Sequence, residues 1–317
     1  MSEITAGAFK VTHPGILSLL QDAGRYGCHQ IGLTTGGPLD PHAYFWANRL
    51  CGNADNHTCI EISVGGLQLK AQCHSRIAVT GANMRLTING KQQALWRSHD
   101  INPNDSIHLE FSCQGVRAYL AVSGGFQIKP SFGSSATVTR ESIGGLDGKA
   151  LRTGDVLACR SQKISSTHWQ LGAGHQPHYA KQITLRVIPG YQEHHFSRLQ
   201  QRLFFHNTYT VSQLCDRMGY RLEGSKISAD IEGILSEGIC LGAIQVPADG
   251  QPIILMNDRQ TIGGYPKIGS VLSLDLAKLA QLMPGDKVNF AAITIDCAHN
   301  ILHLAQSRLI GTALEPC

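Results

Sequence analysis

Asn257-Asp258-Arg259-Gln260-Thr261-Ile262-Gly263-Gly264-Tyr265-Pro266 follows directly on the apolar run Ile253-Ile254-Leu255-Met256. An apolar run that stops at a carboxylate, a guanidinium, an amide and a hydroxyl reads as a buried strand carrying polar groups to its open end. Gly263 and Gly264 remove two Cβ atoms there and permit close approach of another backbone or a ligand, and Pro266 fixes the exit. The same residues also describe a plain polar turn between two strands. The rest of the chain has to decide between a ligand loop and a turn.

Upstream, Ile239 to Pro247 reads as another buried strand, joined to the run by a turn at Gly250 to Pro252. Before it, Asp216-Arg217-Met218-Gly219-Tyr220-Arg221-Leu222 packs two arginines and an aspartate around a glycine. That segment is either an exposed ion-paired hairpin or a guanidinium pair placed to grip a carboxylate or phosphate bidentately. Thr184 to Ile188 is expected as a strand ending at Pro189-Gly190. Phe196, Leu199 and Leu203 mark an amphipathic helix, with further helices expected over Asp275 to Met283 and Ala298 to Leu309. Ser161 to Lys181, rich in Ser, His, Gln, Gly and Pro, is the expected linker, and it sets domains of 1–175 and 176–317.

In the first half, Lys10 to Leu20 alternates like a strand, and Gln21-Asp22-Ala23-Gly24-Arg25-Tyr26-Gly27 breaks it. With Gly32, Gly36 and Gly37, the stretch 21–40 is expected to be irregular. Asp40-Pro41 then predicts a helix: an Asp cap, Pro at the first position, and Ala43, Trp46, Ala47 and Leu50 along one stripe, ended by Gly52. Asn48 adjoins that stripe. Glu61 sits between Ile60 and Ile62 on an expected strand, where a charge needs a partner. Short strands follow at Arg76 to Thr80, Arg85 to Ile88 with an Asn89-Gly90 hairpin, Ile107 to Phe111 and Val116 to Val122. Pro103 to Ile107, Thr153 to Leu157 and Pro284 to Val288 repeat a tight turn with Asp before an apolar strand, and Ser123-Gly124-Gly125-Phe126 echoes Ile262-Gly263-Gly264-Tyr265. Two domains of one fold type would produce such echoes, and so would turn chemistry alone by convergence.

The totals agree with a globular protein of two domains: 317 residues, a formal charge of +4 from 27 basic and 23 acidic residues, and no run of like charge. That distribution offers no stripe for nucleic acid or an anionic membrane, so neither is expected as a partner. The N-terminus lacks a leader pattern and no segment approaches a membrane span, which places the chain in the cytoplasm by expectation. The 10 cysteines form no Cys-x-x-Cys pair and read mostly as small buried hydrophobes. Among 15 histidines, His194-His195 are adjacent and His299/His303 lack the Glu of a metalloprotease motif, so no metal is expected.

Taken together, the motifs resemble those of the C-subunit family of the prokaryotic 5-oxoprolinases, also described as KipA-like, allophanate hydrolase subunit 2 or biotin-dependent carboxyltransferase. The resemblance runs through Gln21-Asp22-x-Gly24-Arg25-x-Gly27, Leu39-Asp40, Ala47-Asn48, Glu61, Tyr119 to Gly125, Gly154-Asp155, Arg217-Met218-Gly219-x-Arg221-Leu222-x-Gly224, Gln245-Val246-Pro247 and Asp258-x-Gln260-Thr261-x-Gly263-Gly264-Tyr265-Pro266. Ile262 departs from it, standing where a second Thr is common. The resemblance implies a mainly β fold of two tandem cyclophilin-like β-barrel domains with a few short helices. It also implies work beside a KipI-like B subunit and an A subunit of the lactam-utilisation type, in an assembly that opens 5-oxoproline to glutamate with ATP as co-substrate. The alternatives are the carboxyltransferase component of a biotin-dependent urea or allophanate system, and a regulatory KipI-binding module. Small lactam or amide substrates need donors on a developing oxyanion and a cation for acid oxygens. The expected residues are Asp22, Asp258, Gln260, Thr261 and Tyr265 for catalysis, and Arg25, Asn48, Glu61, Arg217 and Arg221 for substrate or anion binding.

Overall fold

The computed structural model describes residues 5–161, 167–231 and 233–317, so residues 162–166 of the expected linker lie outside the described residues. Strands dominate, as expected, and the chain divides into two units. The first comprises Met1–Gly27, Thr35–Tyr179 and Ala313–Cys317; the second comprises Cys28–Thr34 and Ala180–Thr312.

In the first unit the strands are β1 (Thr5–Pro14), β2 (Leu17–Gln21), β3 (Cys59–Ser63), β4 (Leu67–Ala71), β5 (Ser75–Ile88), β6 (Lys91–Gln93), β7 (Ser98–Ile101), β8 (Ser106–Val122), β9 (Val156–Ser161) and β10 (Trp169–Gln170). Nine of them form one sheet in the order β2-β3-β8-β4-β1-β9, with β5 on β8 and with β6 and β7 on β5. Two pairs of expected short strands prove to be single long ones: Arg76 to Thr80 and Arg85 to Ile88 both lie in β5, and Ile107 to Phe111 and Val116 to Val122 both lie in β8. Bulges between Gly81 and Leu86 interrupt their pairing, and with it the alternation that marks a strand in sequence. Conversely, Lys10 to Leu20 is two strands, β1 and β2. The sheet closes over Phe9, Val11, Ile60, Ile62, Val79 and Leu120, none more than 1% exposed. Helix α1 (Pro41–Leu50) forms as expected: Asp40 Oδ1 accepts from Ala43 N at 3.0 Å, and Ala43, Trp46, Ala47 and Leu50 are buried. Such a cap contributes about 1 kcal/mol.

In the second unit β11 (Gln182–Pro189), β12 (Tyr209–Cys215), β13 (Gly219–Glu223), β15 (Ala243–Gln245), β16 (Ile253–Leu255), β18 (Lys267–Val271) and β19 (Lys287–Ala292) make a closed barrel in the order β11-β18-β15-β16-β13-β12-β19. The seam is a parallel ladder from Gln182 on Lys287 to Val187 on Ala292. A two-stranded ribbon of β14 (Glu237–Gly238) and β17 (Ile262–Gly263) stands beside it, so the strand expected over Ile239 to Pro247 is only β15. Helices α2 (Arg198–His206), α3 (Ser273–Leu279) and α4 (Ile295–Gly311) complete the unit. Phe204 of α2 stacks on Phe290 of β19 at 4.2 Å between centroids. Asp275, fully buried, accepts from the Arg186 backbone and from its guanidinium at 2.6 to 2.9 Å and so fastens α3 to β11. Strand β20 (Glu315–Pro316) pairs with β10 in the first unit.

Of the ten cysteines, Cys51, Cys59, Cys73 and Cys159 are buried, while Cys113, Cys240, Cys297 and Cys317 are exposed, so the expectation of mostly buried thiols fails. Among the described residues no helix is long and apolar enough to cross a membrane.

Candidate functional site

The glycine-rich stretch of the first unit is built around backbone. Asp22, 4% exposed, receives Gly24 N at 3.0 Å and the Ser134 hydroxyl at 2.5 Å on Oδ1, and Ser135 N at 2.7 Å on Oδ2. Arg25, 1% exposed, donates from Nε to Ser131 O and from Nη2 to Ala136 O, at 3.0 and 3.2 Å. Its Nη1 lies beside Gly36 and has no hydrogen-bond partner among the described residues. Gly37, at φ +81°, explains the glycines of this stretch: a Cβ there would come within 2.9 Å of Ala23 O.

Asn48 and Glu61 are likewise engaged. Asn48 donates to His57 O at 3.1 Å and accepts from Asn53 at 2.9 Å. Glu61 Oε2 accepts from Leu39 N at 3.0 Å and from the Tyr119 hydroxyl at 2.6 Å, and Tyr119 in turn accepts from Asp40 N. Burial first, and the Glu61 charge second, push the Tyr119 phenol well above its ordinary range. Arranged this way, Leu39, Asp40, Glu61 and Tyr119 tie the α1 entry to the sheet.

In the second unit the two arginines of the hairpin part company. Arg217 grips Asp258 with Nε on Oδ2 and Nη2 on Oδ1, both at 2.9 Å, and both residues are buried. Asp258 N also donates to Arg217 O, so the pair locks the end of β16 to the β12–β13 turn. Arg221 is half-buried and pairs with Asp249. Asp216 folds the turn itself, accepting Met218 N at 2.7 Å and Gly219 N at 3.1 Å. Arg259 is buried, donates to Ile239 O and Met256 O, and has its pKa lowered by desolvation.

Between these groups lies a cleft of about 270 Å³ lined by Leu214, Asp216, Met218, Gly219, Arg221, Gln245, Ile253, Leu255, Gln260 and Tyr265. It collects three of the expected residues, Arg221, Gln260 and Tyr265; Arg217, Asp258 and Thr261 are not in its lining. Thr261 is half-buried and its carbonyl accepts from Ile239 N at 3.0 Å. Gln245 is the member that sequence reasoning passed over. It is 1% exposed, and its Nε2 has no hydrogen-bond partner among the described residues. A buried donor left in that state costs about 1–3 kcal/mol, which makes it conspicuous. Gly263 packs directly on it: a Cβ at that position would lie 2.9 Å from Gln245 Nε2 and 2.4 Å from Ile239 Cδ1. One signal was available in the sequence, a carboxamide inside the apolar run Ile244-Gln245-Val246.

A larger cavity of about 350 Å³ in the first unit, bordered by Asn83, Arg85, Gln93, Trp96, Gln114 and Tyr179, contains none of the expected site residues. The smaller cleft is the better candidate because a buried polar group in its wall lacks the partner that a ligand would supply. Among the described residues, no three His, Cys, Asp or Glu side chains gather as metal ligands would.

Residues 31–292 match the family described as carboxyltransferase domain, subdomain A and B. The chain is 35% identical over 295 residues to the 5-oxoprolinase C subunit of Escherichia coli, spanning 90% of this chain and 92% of that one. It is 34% identical over 299 residues to the 5-oxoprolinase C subunit of Haemophilus influenzae, spanning 92% and 94%. The crystal structure of the K. lactis urea amidolyase superposes with a TM-score of 0.90 at 26% identity, over 96% of this chain and 20% of that much longer one.

Proposed function

The chain belongs to the carboxyltransferase domain family of subdomains A and B, and from that premise we propose that it is the C subunit of an ATP-dependent 5-oxoprolinase that opens 5-oxo-L-proline to L-glutamate. The observation that carries this reading is the full-length kinship with 5-oxoprolinase C subunits, at 35% and 34% identity. In the cell it works in the cytoplasm as one part of an assembly with a KipI-like B subunit and an A subunit of the lactam-utilisation type.

The second-unit cleft is the place for the lactam. At about 270 Å³ it lies at the small end of ligand pockets, sized for a compact ring rather than a nucleotide. ATP therefore lies outside this cleft. Arg221 offers the substrate carboxylate a cation at the rim, and Gln260 and Tyr265 offer hydrogen-bonding groups to the ring amide. Arg217 and Asp258 stand behind that wall and hold it in shape. An amide carbonyl resists attack until its resonance is broken, and donors fixed on the developing oxyanion lower that barrier without reorganising.

A reconstituted assembly tests this reading: glutamate release from 5-oxoproline with ATP, with each component left out in turn. Release is expected to vanish without this chain, and an undiminished rate in its absence overturns the reading. The superposition on the urea amidolyase favours a second reading, carboxyl transfer from carboxybiotin to a urea-type amide. Urea-dependent consumption of carboxybiotin, with no response to 5-oxoproline, would select it.

A further inference from the structure

We propose that Gln245 reads the amide edge of the ligand in the second-unit cleft and selects amides whose N–H and C=O point the same way. The inference rests on the placement of a small amide substrate in that cleft. A primary carboxamide presents an N–H donor and a C=O acceptor side by side. Its complement is another amide edge with acceptor and donor side by side, joined by two parallel hydrogen bonds. A small lactam ring forces that arrangement, because ring closure holds its amide cis; urea has it too, through the N–H that lies beside its carbonyl. An ordinary secondary amide is trans and turns the two groups to opposite sides.

Three features support Gln245 in this role. It sits in the cleft wall at 1% exposure. Its Nε2 has no partner among the described residues. A half-turn about the last side-chain bond exchanges its two ends within a broad, two-fold torsion, so the donor can be brought to the ligand. Gly263 is what leaves room for the head group, since a Cβ there would fall 2.9 Å from Nε2. In a wall otherwise built of Leu214, Met218, Ile253 and Leu255, an unmet amide discriminates strongly, because a ligand that fails to pair with it leaves the group unsatisfied.

The test uses the full chain and the assembled complex. Ligand-observed NMR on the wild-type chain compares 2-pyrrolidinone with N-methyl-2-pyrrolidinone, which lacks the N–H, and with N-methylacetamide, which is trans. Binding of the first alone is expected. Gln245→Met, close in shape and without the amide, is expected to fold with an unchanged or raised Tm, to lose that binding, and to raise KM for 5-oxoproline about 10- to 100-fold in the complex. Equal binding of all three probes overturns the proposal even if the variant fails to fold. A Met variant with wild-type KM in an active complex also overturns it, while leaving the proposed function standing. If the wild-type complex is inactive while this chain still binds 2-pyrrolidinone through Gln245, the proposed function is refuted and this inference upheld.

Discussion

Asp22, one residue past β2 in the first unit, and Gln245, the last residue of β15 in the second, are both buried polar groups, and they stand in opposite states. Asp22 receives three hydrogen bonds from a backbone folded around it. Gln245 makes none through its Nε2 among the described residues, although its burial is deeper. The first arrangement stores its bonding capacity in the fold; the second keeps it available. Residue type does not separate the two, since a carboxylate would ordinarily rank above an amide as a chemical tool. What separates them is the supply of partners. A loop with glycines at 24, 36 and 37 can turn its own N–H groups and neighbouring hydroxyls onto a carboxylate, whereas Gly263 and Ile239 meet the amide with no acceptor at all.

The contrast is open to attack at three points. The largest effect is expected at the Arg217–Asp258 pair, which lies beside the cleft and, like Asp22, is engaged by the fold. Arg217→Ala leaves a buried carboxylate without its bidentate partner and should cost about 3–5 kcal/mol in chemical denaturation. Asp258→Asn should cost about 1–3 kcal/mol with turnover per folded molecule retained. Slow turnover at undiminished stability in that variant would return Asp258 to the chemistry and erase the division between strut and cleft.

Next in size is Asp22→Asn, which sets an NH₂ against a surrounding of donors and should cost about 2 kcal/mol while glutamate release per folded molecule is unchanged. Loss of release without loss of stability would make the first unit a second working site. The smallest effect on stability is expected at Arg221, whose pairing with Asp249 is partly solvent-exposed. Arg221→Ala should change stability by less than about 1 kcal/mol. Its signature is in KM for 5-oxoproline, and Arg221→Lys should raise KM nearly as much as Ala, because an ammonium lacks the planar fork. Full rescue by Lys would reduce Arg221 to a general surface charge.

Legibility in the sequence followed the range of the interactions. Helix α1 was readable to its cap because every signal lies within Asp40 to Gly52. Strands β5 and β8 were readable only in halves, since the bulges that bend them break the alternation on which the reading depends. The barrel came from the family resemblance, not from any periodicity. Arg221 was singled out as one of a guanidinium pair, Gln260 and Tyr265 as part of the polar stretch after the Ile253–Met256 run, and the three do meet in one cleft. Arg217 and Arg221 looked like a matched pair because they stand four positions apart; on a strand that spacing puts two side chains on one face, but Arg217 precedes β13, in the turn, and finds Asp258 instead. Gln245 stayed hidden because its lack of a partner is decided by Gly263 and Ile239, which reach it only through the fold.

The parallel seam between β11 and β19 bears on how the protein is made. The two strands that close the second barrel are separated by nearly the whole of that unit, Gln182–Pro189 at its start and Lys287–Ala292 near its end. During synthesis β11 therefore emerges long before its parallel partner, and the nascent barrel carries an open edge on that side until residue 292 has cleared the ribosome. Throughout that interval the exposed ladder of β11 is a template for any stray strand, and the translating ribosome is the moment at which a chaperone or an early-arriving partner protein would matter most.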